Sequence, residues 1–192
     1  QAFVQRLVEL AGPREEAMAL DLGTGPGDIP LRLLRARPNW RVVALDASWG
    51  MLDCARSATR RAGLSSSVHL ILADAKALPF RPAAFDVVFS NSILHHITAV
   101  DRFWTEVRRV GKRGATVLLR DLARPSSPEA AWRIVRQYSG QESQLLQDEY
   151  FRSLLAAYTV EEVRQQLAAA FLPSLHVSMS SDRHWDVWGQ LP

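Results

Sequence analysis

Short apolar runs alternate with longer amphipathic segments over the first two-thirds of the chain. The apolar runs predict five strands, at Ala17–Leu22, Arg41–Asp46, Val68–Ala73, Phe85–Ser90 and Ala115–Arg120. The amphipathic segments predict helices at Phe3–Leu10, Ile29–Ala36, Trp49–Arg61 and Val100–Arg109. Gly63 stands where a left-handed cap would end the third of these helices. Strands that alternate with helices in this way indicate βα units on a parallel sheet.

The pattern changes after the fifth strand. It predicts three further helices, at about Glu129–Tyr138, Leu145–Ala156 and Thr159–Ala170. Thr159 and Glu162 match a capping box at the start of the last one. Two β-like runs, Leu175–Ser180 and His184–Trp188, flank a short polar turn and predict an antiparallel hairpin at the end of the sheet.

A length of 192 residues suits one domain. We therefore expect a single domain over residues 1–192, with a helical insert at about 126–158. No run approaches the roughly 20 apolar residues that cross a bilayer, so we expect no membrane association. Cys54 is the single cysteine, which excludes an intrachain disulfide and favours a reducing, cytoplasmic setting. Its apolar helical context predicts that Cys54 is packed.

The net charge is +3, and arginines such as Arg32, Arg60 and Arg108 are scattered over the predicted helices. This distribution favours solvated helix faces over a nucleic-acid-binding stripe.

A glycine-rich loop joins the first strand to its helix. Asp21 ends the strand, and Gly23, Gly25 and Gly27 follow at alternate positions, where glycine lets a ligand approach the main chain. The loop departs from the dinucleotide fingerprint G-x-G-x-x-G, because its sixth position is Asp28, and it lacks the Lys-Ser/Thr pair of a P-loop. We expect Asp28 to cap the helix and to repel a pyrophosphate there. The loop thus favours a ligand with an ammonium group and no phosphate.

Carboxylates end three strands of the predicted sheet. Asp21, Asp46 and Asp74 would meet at the carboxyl edge, where open α/β sheets bind ligands. An acidic residue at the position of Asp46 typically binds ribose hydroxyls, and a carboxylate at Asp74 can accept from an exocyclic amino group.

These residues resemble the class I S-adenosylmethionine-dependent methyltransferases, most specifically between Ala17 and Asp121. The segments Asp21–Gly27, Asp46–Leu52 and Phe85–Asn91, followed by Ile93–Ile97, are similar to motifs of that family. The resemblance implies a Rossmann-like, doubly wound sheet of seven mostly parallel strands in the order 3-2-1-4-5-7-6, with the last strand antiparallel. The predicted hairpin fits that fold independently.

The resemblance also implies S-adenosylmethionine as cofactor, with S-adenosylhomocysteine as product. The glycine loop would lie against its methionine part, Asp46 would hold both ribose hydroxyls, Met51 would touch the adenine, and Asp74 with Ala75 would bind the adenine amino group and ring edge. The full implied set is Asp21, Gly23, Thr24, Gly25, Gly27, Asp46, Ala47, Met51, Asp74, Ala75 and Asn91.

Methyl transfer from a sulfonium is a direct displacement, so the protein must mainly align the reactants. A base helps where the acceptor is a hydroxyl or a protonated amine. His95 and His96 follow the fourth strand at the ligand edge, and either is a candidate base or a wall of the pocket. No third ligand stands at a familiar spacing from this pair, so we expect no metal.

Candidate acceptor-binding residues are Asp121 after the fifth strand, Arg183 and His184 at the hairpin, and Tyr138 in the insert. Arg183 would grip an anionic acceptor, unless the neighbouring Asp182 occupies it. Tyr138 would line a pocket roofed by the insert or pack in the core.

The expected function is methyl transfer to an oxygen, nitrogen or carbon atom of a small-molecule acceptor. The sequence Ser90-Asn91-Ser92-Ile93 differs from the Asn/Asp-Pro-Pro-Tyr/Phe of enzymes that methylate base amines, which makes nucleic acid a less favoured partner. The alternatives are an RNA or protein methyltransferase and a regulatory module that binds S-adenosylmethionine without turnover. The glycine spacing opposes a nicotinamide dehydrogenase. The oligomeric state stays open.

Overall fold

The computed structural model describes residues 2–192 and contains one seven-stranded sheet in the order β3-β2-β1-β4-β5-β7-β6. Its strands are β1 (Met18–Leu22), β2 (Arg41–Asp46), β3 (Val68–Leu72), β4 (Phe85–Asn91), β5 (Gly111–Leu122), β6 (Leu175–Met179) and β7 (His184–Gln190). The pairs among β1 to β5 are parallel, whereas β7 runs antiparallel to β5 and to β6. The predicted fold class and strand order are confirmed.

Seven α-helices accompany the strands in residues 2–192: α1 (Ala2–Ala11), α2 (Asp28–Ala36), α3 (Trp49–Arg61), α4 (Val100–Val110), α5 (Pro128–Ser139), α6 (Gln144–Ala156) and α7 (Val160–Ala169). A short 3-10 helix at Leu94–His96, here called the histidine turn, follows β4. The predicted capping box of Thr159 and Glu162 is confirmed, as is the left-handed Gly63 after α3, with φ of +69°.

Two local predictions are wrong. Gly27, not Asp28, is the N-cap of α2; it is left-handed, and no side chain caps this helix. Asp28 is instead the first residue of the helix. Cys54 is exposed, because α3 turns Leu52, Ala55 and Thr59 inward and leaves Cys54 on its outer face.

The sheet separates two apolar layers. On one face α1 and α2 pack against the sheet through Phe3, Leu7, Leu33 and Leu34. On the other face α4 and α7 contribute side chains that include Phe103, Trp104, Val163 and Leu167. Burial of this much apolar surface holds the carboxyl ends of the strands in fixed positions.

The insert forms a third, smaller cluster. Ala131 and Val135 of α5 pack with Leu154 of α6 against Leu122 at the end of β5, and the rings of Trp132 and Phe151 stack at 4.4 Å. Helix α6 also contacts the histidine turn. The predicted helical insert therefore lies beside the carboxyl edge of the sheet.

No helix among residues 2–192 combines the length and apolar character that crossing a membrane requires.

Candidate functional site

A cavity of about 690 Å³ opens at the carboxyl edge, between the ends of β1, β2 and β4. Eight of the eleven residues proposed to bind the cofactor line it: Asp21, Gly23, Thr24, Gly25, Asp46, Ala47, Met51 and Asn91. The remaining wall comes from Pro26, Asp28, Ile29, Arg32, Ser48, Ser92, Ile93 and His96. Parallel strands bring these distant segments together because their carboxyl ends share one edge.

The glycine loop leaves its main chain accessible from the cavity. Gly23 and Gly25 have φ of +74° and +54°, which side chains other than glycine rarely adopt. A Cβ on Gly23 would lie 2.7 Å from the Ile93 side chain, whereas one on Gly25 would meet nothing within 4 Å. Gly23 is thus required by packing, and Gly25 presents open backbone to a ligand.

Asp46 fixes the shape of the loop. Its two carboxylate oxygens accept hydrogen bonds from the Gly25 and Ser48 backbone N–H groups, each at 2.8 Å. The Ser48 hydroxyl in turn caps α3 by accepting from the Met51 N–H. A carboxylate offers about four acceptor positions, so Asp46 retains capacity for two hydroxyl donors of a ligand.

Asp21 is a buried carboxylate with an unpartnered oxygen. Neither its Oδ2 atom nor the Thr24 hydroxyl has a hydrogen-bond partner among residues 2–192. Burial raises the pKa of Asp21 to about 7; Asp46 raises it further, and Thr24 opposes the shift. Because a buried acceptor without a donor is costly, this oxygen at the cavity wall suits a ligand that brings its own donor, such as an ammonium group.

Three residues of the proposed cofactor set do not line this cavity. Asp74 has an exposed side chain that accepts from the Lys76 backbone and ammonium groups, both at 2.8 Å, and Lys76 lowers its pKa. Ala75 is buried in the core. Gly27 has a packing role, because a Cβ there would lie 3.1 Å from that of Ala55 on α3.

His95 and Asp121 form a buried pair behind His96, and neither of the two lines the cavity. The His95 Nδ1 atom lies 2.5 Å from Asp121 Oδ1, and their side chains are only 7% and 2% exposed. Asp121 also accepts from the backbone N–H groups of Leu94 and Leu122. The Asp121 oxygens are thus engaged by His95 and the main chain, and a direct contact of Asp121 with the acceptor stays a prediction.

His96 lies on the cavity side of the histidine turn. It lines the cavity and its ring centroid is 4.0 Å from that of His95. Burial lowers the pKa of His96, the neighbouring His95 adds to this, and Asp121 opposes it. The lowered pKa favours a neutral imidazole near neutral pH.

The turn between β6 and β7 contacts α5 of the insert through three side chains. The Arg183 guanidinium lies 3.3 Å from the ring centroid of Tyr138 and pairs with Asp182 at 3.0 Å. The Tyr138 hydroxyl donates to Asp182 at 2.6 Å. His184 Nδ1 lies 2.9 Å from the Ser181 hydroxyl, and burial lowers the pKa of His184, helped by the charges of Arg183 and Arg120. Tyr138 and Arg183 thus meet each other, and neither lines the cavity.

Sequence reasoning missed two features of this edge. It placed His95 and Asp121 at the ends of neighbouring strands, which was a signal for their contact, yet it assigned them separate roles. It also gave Arg32 no role at the site, although Arg32 lies four residues after Asp28 and therefore shares its helix face at the cavity.

Comparison with known proteins decides the family. Residues 20–119 match the family model described as a methyltransferase domain, which is just over half of the chain. The chain belongs to the class I S-adenosylmethionine-dependent methyltransferases.

Curated methyltransferases resemble about three-fifths of the chain. A malonyl-[acyl-carrier protein] O-methyltransferase of Legionella pneumophila is 31% identical over 122 residues, covering 62% of this chain and 42% of the relative. A demethylmenaquinone methyltransferase of Roseiflexus castenholzii is 33% identical over 125 residues, covering 63% and 49%. The matched region spans less than half of the length of each relative.

Solved methyltransferase structures share the fold. An S-adenosylmethionine-dependent methyltransferase from Aquifex aeolicus superposes with a TM-score of 0.73 at 18% identity, covering 98% of this chain and 89% of that one. A phosphoethanolamine N-methyltransferase of Haemonchus contortus, solved with S-adenosyl-L-methionine, gives 0.74 at 17% identity, with 99% and 51% covered.

Proposed function

We propose that this chain transfers the methyl group of S-adenosylmethionine to a small-molecule acceptor that loses a proton in the reaction. The observation that carries the proposal is the cavity at the glycine loop, bounded by Asp21 and Asp46 and adjoining the buried His95–Asp121 pair. When bound, the cofactor supplies a methyl group on a positively charged sulfur, which is electrophilic without further activation.

The residues of the cavity fit each part of that cofactor. Gly25 offers open main chain, Asp46 has acceptor capacity for ribose hydroxyls, and Asp21 with Thr24 has unpartnered oxygens for an ammonium group. Met51 is 46% exposed at the cavity wall and supplies an apolar contact for a base. Together these residues bind and orient the methyl donor.

His95 is the proposed base. Its Nδ1 faces Asp121, and within residues 2–192 no hydrogen bond occupies Nε2. With the Nδ1 proton held toward Asp121, the lone pair lies on Nε2, which can take the proton of an acceptor hydroxyl. Asp121 would then stabilise the imidazolium and keep the ring in place, as a buried carboxylate does for a general base.

Helices α5 and α6 are proposed to roof the acceptor. They pack on Leu122, α6 contacts the histidine turn, and Tyr138 fastens α5 to the hairpin through Asp182. A roof of this kind excludes water from the reacting atoms and strengthens the charge interactions beneath it.

A base beside the methyl donor favours an acceptor hydroxyl over a carboxylate that is already ionised. It also suits a quinol: removal of the hydroxyl proton would make the ring carbon nucleophilic, that carbon would take the methyl group from sulfur, and loss of its own proton would restore the aromatic ring. The likeness to a demethylmenaquinone methyltransferase supports testing quinols first.

The test measures transfer of labelled methyl from S-adenosylmethionine to a panel of reduced quinones, phenols and amines. The parent should methylate a quinol or phenol, and His95→Gln should lower kcat at least about a hundredfold while leaving cofactor affinity within about threefold. Cofactor binding without transfer to any member of the panel would contradict the proposal and favour a regulatory module. An unchanged kcat in His95→Gln would remove His95 from its role.

A further inference from the structure

Arg32 is the single arginine or lysine that lines the cavity in the part of the chain that the structure describes. It lies one helical turn after the start of α2, and helical side chains lean toward the N-terminal end of their helix. Arg32 borders both the cavity and the groove beside α1, and its lean toward the start of α2 favours the cavity side.

The charge of Arg32 is uncompensated. Within residues 2–192, neither a salt bridge nor a side-chain hydrogen bond engages its guanidinium. Asp28 stands on the same face four residues earlier, yet no salt bridge joins the two side chains. Most other arginines of the ligand edge are occupied, as Arg183 is by Asp182 and Arg124 by Glu162.

The start of α2 adds to this positive field. The helix has nine residues, and its N-cap, Gly27, provides no side-chain acceptor for the first N–H groups. Uncapped N–H groups and the helix dipole favour an anion at this point, and the negative charge of Asp28 in the first turn opposes them, so the Arg32 guanidinium is the group that makes a carboxylate favourable. The unpartnered, fully buried Asp21 oxygen in the same wall is suited to a cation.

We infer that Arg32 binds the carboxylate of the cofactor's amino-acid end, while Asp21 receives the ammonium group. The inference rests on the proposed function. A free guanidinium beside an uncapped helix start, in the same cavity as an orphaned carboxylate oxygen, is complementary to a zwitterion. A guanidinium binds a carboxylate with two parallel N–H···O hydrogen bonds, which adds geometric selectivity to the charge attraction. Arg32 is thereby a residue that determines recognition of the intact methyl donor.

The experiment is calorimetric titration of the full chain with S-adenosylhomocysteine and with its decarboxylated analogue, which keeps the ammonium, ribose and adenine. Parent protein should bind S-adenosylhomocysteine at least about tenfold more tightly than the analogue. Arg32→Ala should weaken S-adenosylhomocysteine by at least about tenfold and leave the analogue within about twofold, so that the preference disappears. Arg32→Lys should restore part of it, because a lysine keeps the charge without the planar fork.

Arg35→Ala is the matched control. Arg35 lies on the same helix and is exposed. Both arginines border the groove beside α1, but only Arg32 also lines the cavity, so removal of Arg35 makes the same change in net charge away from the cavity. It should leave both affinities unchanged. An Arg32→Ala variant that loses equal affinity for both ligands, or none, would overturn the assignment of Arg32. Absence of binding of either ligand to the parent would instead overturn the proposed function, and the inference with it.

Discussion

At the scale of single residues, Asp21 stands out among the cavity residues because its pKa is strongly raised. Its carboxyl is buried, one oxygen has no partner, and burial raises its pKa to about 7. A buried carboxylate without a partner destabilises the ligand-free protein and becomes favourable once a cation arrives. The ammonium group of the proposed ligand would remove this cost by pairing with the Asp21 carboxylate.

This pKa sets the pH dependence of cofactor binding. Below about pH 7 the Asp21 carboxyl is mostly protonated in the free protein, and an ammonium group requires the ionised form. Affinity for S-adenosylhomocysteine should therefore rise about tenfold between about pH 6 and about pH 8, with most of the gain below pH 7. Titration calorimetry across that range measures it. Asp21→Asn should bind weakly at every pH, and a parent affinity that is flat with pH would contradict this assignment.

Asp121 is a positioning residue whose effect runs through His95. Asp121→Asn replaces the acceptor that faces Nδ1 and should lower kcat at least about a hundredfold, because the imidazolium loses its partner and the tautomer is no longer fixed. The readout that separates this from general damage is the split between turnover and cofactor binding. Asp121→Asn should lower kcat while leaving the affinity for S-adenosylhomocysteine within about threefold of that of the parent. A comparable loss of cofactor affinity would indicate a structural role only.

At the scale of elements, ion pairs tie α1 to the sheet. Asp186 on β7 is fully buried and accepts from Arg6 of α1 at 2.6 Å and from Arg120 of β5 at 2.6 and 2.8 Å. The three side chains thereby link α1 to β5 and β7. Removal of the shared carboxylate leaves two guanidiniums without an anion.

Asp186→Ala should accordingly lower the free energy of unfolding by about 3–5 kcal/mol, as breaking one partner of a buried pair typically does. Urea unfolding followed by tryptophan fluorescence gives the value. Asp53→Ala is the comparison, because Asp53 makes only an exposed pair with Arg56 at 3.7 Å and should change stability by less than about 0.5 kcal/mol. Equal losses of unfolding free energy in the two variants would show that the ion pairs of Asp186 do not stabilise the fold.

The elements themselves were largely predictable from the sequence. Apolar periodicity located β2 and α3 at their observed bounds, and the Thr159 capping box located the start of α7. Strand β5 begins at Gly111, four residues before the predicted start. The prediction missed these residues because the segment Lys112-Arg113-Gly114 is polar and shows no strand pattern. Periodicity reports burial, so it misses strand residues at the solvent end of a sheet.

At the scale of the whole molecule, topology decides which residues meet. The strand order was predicted through the resemblance, and it brings Asp21, Asp46 and Asn91 into one cavity wall. Some partners were predictable, since His95 and Asp121 follow neighbouring strands and Asp182 adjoins Arg183 in sequence. The contact of Tyr138 with Arg183 was not, because it depends on side-chain directions across segments far apart in sequence. Asp74 illustrates the same limit, since its carboxylate contacts Lys76 and does not line the cavity.

Calorimetry on the full chain with S-adenosylmethionine, S-adenosylhomocysteine and NAD is the decisive test of whether the cavity binds S-adenosylmethionine through the carboxylates of this edge. We expect micromolar binding of the first two ligands, no binding of NAD, and at least about tenfold weaker binding in Asp46→Ala, or about 1.4 kcal/mol. Thermal unfolding without ligand should show that the variant remains folded. Absence of binding to both methionine-derived ligands, or equal affinity in the folded variant, would show that this cavity is not the cofactor site.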